Sequence, residues 1–410
     1  MFAINLTFVT IMRIIKRYSL LLSLGILLFG SCVSKDSSLG TDQAELIPAD
    51  TLCFPINDST HYESKAMFQF EYSGREYLFF QNQRDKGSPH ISIFDIEKEC
   101  LYKSIPVYKE GPNGIPHVLG GWPLDMDHFI VTTGSTQFYM IDDAGHITYK
   151  SPALYVRRKN NVPLYDGYCG TRVLSYYASP AIFRDSLFYF PQKAVGFPHT
   201  ADNWSTSNLF AYMNMNTGEL GRTKFCYPSV FDKAEDIYSA IYGRDHSYAD
   251  TGKDVAVSFE ETDSIYVSSD FHHVRAYNAK SRYFPHLRPE PENPNQDLLT
   301  WIRKDANTPQ YHHLLYDKYR KVFYRFACMP YEYPELRSPM DEDTGREFSI
   351  IILNDKYEII GETRFPGNTY AYRLWFIGRD GLYLSLNNQG NPDFDEDRLL
   401  FRRLKLEYKK

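Results

Sequence analysis

One short pattern recurs along this chain and limits what it can fold into: a polar turn that leads directly into a brief aromatic strand. It stands at Gly74-Arg75-Glu76-Tyr77-Leu78-Phe79-Phe80, at Asp127-His128-Phe129-Ile130-Val131 and at Asp185-Ser186-Leu187-Phe188-Tyr189-Phe190. It returns at Asp263-Ser264-Ile265-Tyr266-Val267, Lys321-Val322-Phe323-Tyr324 and Asp380-Gly381-Leu382-Tyr383-Leu384, so the first apolar residues fall at 77, 129, 187, 265, 322 and 382. Downstream of most copies runs a second apolar strand closed by Asp or Asn, over 91–95, 138–142, 209–214, 274–278 and 350–354. Such a side chain bonds its own backbone two residues on and so starts a tight turn. Each leads into a further strand, such as Ile147 to Lys150 or Ile359 to Phe365. Every unit therefore holds four strands, A to D.

A four-stranded unit repeating at ~40 to 50 residues or more is the signature of a β-propeller blade, because one small sheet cannot bury both faces until neighbours stack on it. The expected fold is all-β: a six-bladed β-propeller of four-stranded blades filling residues 46–410, with a pair of β-sandwiches as the competing architecture. The last unit supplies strands over 372–377, 382–386 and 399–406 and then lacks its fourth. Leu52 to Ile56 is expected to provide it, so that an N-terminal strand joins the last blade and removes the open sheet edge.

Composition bears on what such a propeller binds. Lys and Arg number 45 against 51 Asp and Glu, a net charge of −6. The basic footprint that nucleic-acid binding requires is missing. The 33 Tyr and 28 Phe suit pleated surfaces, where flat rings pack well.

The N-terminus indicates a compartment. Arg13, Lys16 and Arg17 precede an apolar run from Leu20 to Phe29, which ends in Gly30 and Ser31 before Cys32. That is the layout of a secretory signal, and the run is too short to cross a bilayer. Residues 1–31 are read as a signal peptide, with 1–11 an upstream start-site extension. Leu28-Phe29-Gly30-Ser31-Cys32 resembles the lipobox of bacterial lipoproteins, in which the cysteine is acylated and becomes the new N-terminus; Phe29 departs from the usual Leu. Val33, rather than the Asp that retains such proteins in the inner membrane, implies outer-membrane sorting in a Gram-negative cell. The mature chain facing the periplasm or the surface would carry a net charge of −9. Residues 32–45 are polar and small and read as a lipidated flexible tether. With Cys32 assigned to lipid, Cys53, Cys100, Cys169, Cys226 and Cys328 remain, an odd number at wide spacings that fits buried thiols better than a disulfide framework.

Taken with the lipobox, the tether and the six aromatic hairpins, Glu110-Gly111-Pro112-Asn113-Gly114-Ile115 completes a resemblance to uncharacterised bacterial lipoproteins with six-bladed, TolB-like propellers, a domain of unknown function. The resemblance implies the fold and supplies no catalytic residues.

The common catalytic signatures are absent: no GxSxG, no HExxH, no Walker or dinucleotide glycine loop. His272-His273 and His312-His313 look like ligand pairs, but adjacent strand residues point to opposite faces, so both read as ordinary strand histidines. Asp393-Phe394-Asp395-Glu396-Asp397 lacks the glycine and the terminal glutamate of an EF-hand loop, having Arg398 and Leu404 in their places. It reads as a solvated acidic loop, as does Asp341-Glu342-Asp343. No metal and no cofactor is expected.

Loop lengths carry the remaining signal. A-to-B and C-to-D turns share one face of a propeller and are short here. B-to-C and D-to-A connections share the other, and the long ones span 109–121, 151–178, 192–208, 226–253, 285–310 and 328–347. Loops beyond ~12 to 15 residues are uncommon unless functional or disordered. Trp122, Trp204 and Trp301 fall in or beside them. Gly111, Asn113, Gly114, Trp122 and Trp301 are therefore the candidate binding face. The reading is a lipid-anchored, non-enzymatic module that binds an envelope protein, peptide or glycan. The alternative is a propeller lyase or hydrolase whose motif-free site in the central funnel draws on His117, His199, His246, Arg172 and Arg244.

Overall fold

The structure is a computed structural model that describes residues 42–57, 60–82, 89–116, 118–133, 137–152, 181–191, 205, 208–232, 246–287, 307–331 and 345–409. All of them belong to one unit, Asp42–Lys410. Strand β1 (Ala44–Pro55) comes first, and the remaining strands follow in sets. Blade 1 holds β2 (Ser64–Tyr72), β3 (Arg75–Asn82), β4 (His90–Asp95) and β5 (Cys100–Pro106); blade 2 holds β6 (Val118–Pro123), β7 (His128–Thr133), β8 (Phe138–Asp142) and β9 (Ile147–Lys150). Blade 3 is β10 (Ile182–Arg184), β11 (Leu187–Pro191), β12 (Phe210–Asn214) and β13 (Leu220–Arg222); blade 4 is β14 (His246–Asp250), β15 (Val255–Phe259), β16 (Ser264–Ser268) and β17 (Arg275–Asn278). Blade 5 is β18 (Gln310–Asp317), β19 (Val322–Cys328), β20 (Phe348–Leu353) and β21 (Ile359–Phe365), and blade 6 joins β22 (Ala371–Gly378), β23 (Gly381–Ser385) and β24 (Arg398–Tyr408) to β1. The chain is a six-bladed β-propeller.

Six hydrophobic clusters hold the blades together, and each lies between two successive ones. Phe79 and Phe129 share the first, Phe138 and Phe188 the second, Phe210 and Tyr248 the third. Ile265 and Phe323, Phe326 and Trp375, then Phe401 and Phe80 complete the ring. Middle strands therefore have neighbours on both faces: every residue of β15, β19 and β20 is buried. The outermost β9 and β17 are instead half exposed.

β1 pairs antiparallel with β24 from Ala44 opposite Tyr408 to Pro55 opposite Arg398. The strand expected over 52–56 thus begins at Ala44, inside the stretch assigned to the tether. Its first residue packs against blade 5 as well. Gln43 N donates to Ile360 O at 2.8 Å, and a Cβ at Gly361 would collide with the Ala44 carbonyl oxygen, so only glycine fits there.

Blade 4 corrects one sequence assignment. Asp263–Val267, expected as the aromatic second strand, forms the third, β16, and the 274–278 strand expected as the third forms the fourth, β17; the second is Val255–Phe259. β14 occupies the end of the 226–253 segment expected as a loop, and Val255–Phe259 follows directly after it. Likewise β6 occupies the end of the 109–121 segment. With those strands placed, A-to-B and C-to-D turns run two to six residues throughout, and the long connections leave the opposite ends of the strands.

Candidate functional site

The first strand of every blade is innermost, and together these strands enclose an axial cavity of about 330 Å³. Its walls are Met67 and Phe68 of β2, Trp122 of β6, Ala181 beside β10, Ala249 of β14, Leu314 and Leu315 of β18, and Trp375, Phe376 and Ile377 of β22. Lys318 and Tyr319, in the turn after β18, also line it, which places it in the half of the channel toward the short A-to-B turns. The aromatic walls are packed rather than loose: the Phe68 and Trp122 rings meet edge to face at 4.1 Å. Trp122 reaches the channel because β6 runs so close to blade 1. A Cβ at the preceding Gly121 would lie 2.9 Å from both Ile130 O and the Phe79 ring.

Polar groups at this mouth are neutralised among themselves. Tyr319 OH donates to Glu71 Oε1 at 2.6 Å, Arg379 Nη2 lies 2.7 Å from Glu71 and Lys318 Nζ 3.3 Å from it. Gln69 Nε2 donates to Glu76 Oε1 at 2.8 Å and to the Tyr319 oxygen at 3.1 Å. The Tyr319 hydroxyl and the Arg379 guanidinium hold the Glu71 carboxyl down at about 2, whereas burial pushes Glu76 up. Asp250, also on the wall, is paired with Arg184 at 3.0 Å. Turns from blades 5, 6 and 1 are thereby tied together around an apolar opening.

Farther along β18 sit His312 and His313, both buried. Strict alternation was expected to send them to opposite faces, but the register shifts between Tyr311 and Leu314, a bulge that sets two residues against one. Both rings meet blade 6, His312 against Tyr372 at 5.5 Å and His313 against Trp375 at 5.6 Å, while His312 Nδ1 also lies 3.5 Å from Glu260 Oε1 of blade 4. Burial drives both imidazoles down, His313 to about 3, with the Arg373 charge adding to it. They are neutral at physiological pH. Register shifts recur in β2, β6 and β22.

The other sequence candidates scatter. Gly111, at φ +83°, accepts from Gly114 N at 3.0 Å in a tight turn, and Asn113 Oδ1 accepts from Ile147 N at 3.1 Å. That contact fastens the turn to β9, the outermost strand of blade 2, whereas Trp122 is on the innermost. The structure does not bring them together. His246 opens β14, while Cys32, His117, Arg172, His199, Trp204, Arg244, Trp301 and Asp341-Glu342-Asp343 lie outside the described residues. Of the cysteines, Cys53, Cys100 and Cys226 are half-buried free thiols, Cys328 is buried in β19, and Cys169 lies outside the described residues. In the acidic 393–397 loop, Asn387 Nδ2 donates to the Asp395 and Arg398 carbonyls and Asp395 pairs with Arg398 at 3.2 Å. His272 and His273 lie in the turn between β16 and β17, not in a strand.

The wall residues Met67, Phe68, Gln69, Leu314, Trp375 and Phe376 were missed in the sequence. Their signal is position: each falls within the strand that precedes a polar turn and an aromatic hairpin.

A family model described as a domain of unknown function, DUF4221, matches residues 43–364. A crystal structure of a DUF4221 member from Bacteroides vulgatus ATCC 8482 is 37% identical at a TM-score of 0.80, covering 90% of this chain and 99% of that one. BamB from Moraxella catarrhalis is 11% identical at a TM-score of 0.34 over 88% of this chain and 98% of that one, a likeness too low to carry an argument. No curated protein matches.

Proposed function

This chain belongs to the DUF4221 family, and from that premise we propose that it is a lipid-anchored binding module of the outer membrane, held through Cys32, whose channel receives an apolar group of an envelope protein, peptide or glycan. The observation that carries the reading is the wall chemistry. Ligand-binding pockets are concave and lined mostly by hydrophobic and aromatic side chains with a small number of placed polar groups. Here Phe68, Trp122, Leu314, Trp375 and Phe376 dominate, and the charged groups at the rim already neutralise one another. An acid and a base converging on a reacting atom would be the mark of catalysis. The two buried histidines, with Glu260 3.5 Å from His312, lie at the bulge level and do not line the cavity.

The test captures ligands from arrays of envelope glycans and peptides on the mature chain. Trp122→Leu, which removes a ring from the channel, should weaken capture about tenfold, the cost of roughly 1.4 kcal/mol of lost contact. If Trp301→Ala abolishes capture and Trp122→Leu leaves it unchanged, the long connections rather than the channel hold the ligand. Anchoring is read separately: Cys32→Ala should leave the detergent phase, and unchanged partitioning would remove the lipid assignment.

A further inference from the structure

We infer that the turn between β16 and β17, Asp270-Phe271-His272-His273, is a site for a borderline divalent transition-metal cation of the zinc, nickel or copper type. It does not rest on the channel reading. One carboxylate oxygen and one ring nitrogen from each histidine lie within 4.8 Å of one another. Donors sharing one tetrahedral ion at bond lengths near 2.0–2.2 Å stand roughly 3.3 Å apart. A small rotation of exposed rings closes that difference.

The backbone of the turn is already fixed. Phe271 holds φ +55°, an uncommon conformation for a bulky residue, and is buried. Its ring stacks on Tyr189 at 4.2 Å and 2°, meets Phe210 at 5.3 Å and lies under the Arg184 guanidinium at 5.0 Å. Its carbonyl accepts from Lys224 N at 3.0 Å, and Ser269 O accepts from Arg184 Nη1 at 3.1 Å. Blade 3 therefore pins the residue at the centre of the turn, and its neighbours are left projecting. Asp270 Oδ1 accepts from His272 N at 2.9 Å and His273 N at 2.8 Å, and its Oδ2 meets His273 Nδ1 at 2.7 Å. These bonds fix the Asp270 carboxylate within the turn, beside the two histidines.

Ligand type sets the class of ion. Two imidazoles and one carboxylate suit zinc, nickel and copper, whereas calcium takes six to eight oxygens. Two other turns repeat half of the arrangement: Asp125 with His128 at 3.0 Å and Asp142 with His146 at 3.2 Å. Each has one histidine, so they serve as internal controls.

The experiment titrates the tag-free mature chain with Zn²⁺, Ni²⁺ and Cu²⁺ by calorimetry, with Ca²⁺ as the fourth arm. One equivalent of transition metal is expected, with affinity reduced at least about tenfold by His272→Ala or His273→Ala and unchanged by His128→Ala or His146→Ala. The His272 side chain is exposed and meets only the His273 ring, at 4.2 Å, so its replacement is expected to leave the fold intact, which an unchanged melting temperature verifies. Absence of stoichiometric binding, or binding indifferent to both turn histidines, would overturn the site.

Discussion

Arg325 has every guanidinium proton satisfied without a carboxylate in contact. Fully buried, it donates from Nε to Ser258 Oγ at 2.8 Å, from Nη1 to the Asp263 and Ala279 carbonyls, and from Nη2 to the Phe259 and Thr262 carbonyls. Its guanidinium lies 3.5 Å from the centre of the Tyr311 ring. Burial lowers its pKa to about 10, which leaves it charged at neutral pH. Arg325→Met should cost at least about 3 kcal/mol, since it strands buried carbonyls of blade 4, and Arg325→Lys should recover little because an ammonium cannot match the fork. Urea denaturation midpoints measure this; a loss below about 1 kcal/mol would refute the cage. The buried histidines make a second prediction. Because the folded-state values of His312 and His313 lie below the ordinary 6.5, the unfolded chain binds more protons between pH 6.5 and about 3. Their contribution is fully present above pH 6.5 and lost as pH falls through that window, by up to about 1.4 kcal/mol per unit for each. His313→Gln should flatten the decline between pH 7 and 5, and a variant declining as steeply as the parent would contradict it.

At the scale of strands, five of the six aromatic hairpins marked the second strand of a blade correctly, because a turn residue followed by a doubly buried strand leaves a strong signal. Blade 4 broke the pattern for a physical reason. Val255–Phe259 and Ser264–Ser268 each carry one aromatic residue and each follows a polar turn, so the pattern alone does not separate the second strand from the third there. The bulges were equally invisible: nothing in Tyr311-His312-His313-Leu314 says that two residues oppose one. Trp122 was noticed as an aromatic anchor but placed in a loop, because Gly120-Gly121 reads as a linker until the ring of Phe79 is seen to demand glycine. The channel walls themselves are ordinary apolar strand residues, distinguished only by facing the axis. The rim network is testable at this scale. Tyr319→Phe removes the hydroxyl between Glu71 and Gln69 and should lower the unfolding free energy by about 1 kcal/mol, read from denaturant midpoints; no change would mean that the three turns hold together without it.

The whole molecule is a ring, and a ring must close. β1 closes it by pairing along β24 while Ala44 and Leu46 enter the cluster between blades 5 and 6 and Phe54 that between blades 6 and 1. Deleting 44–55 should expose β24 as an open edge and yield aggregates in size-exclusion chromatography; a monomer melting like the parent would contradict that closure. The proposed binding role depends on the enclosed channel. Its most direct test is titration of the folded chain with the apolar fluorophore anilinonaphthalene sulfonate, alongside Ala181→Trp, which puts a large ring into the cavity from a half-exposed position. A single saturable site is expected in the parent, and Ala181→Trp should abolish it while melting is unchanged. No saturable site, or one indifferent to Ala181→Trp, would contradict it.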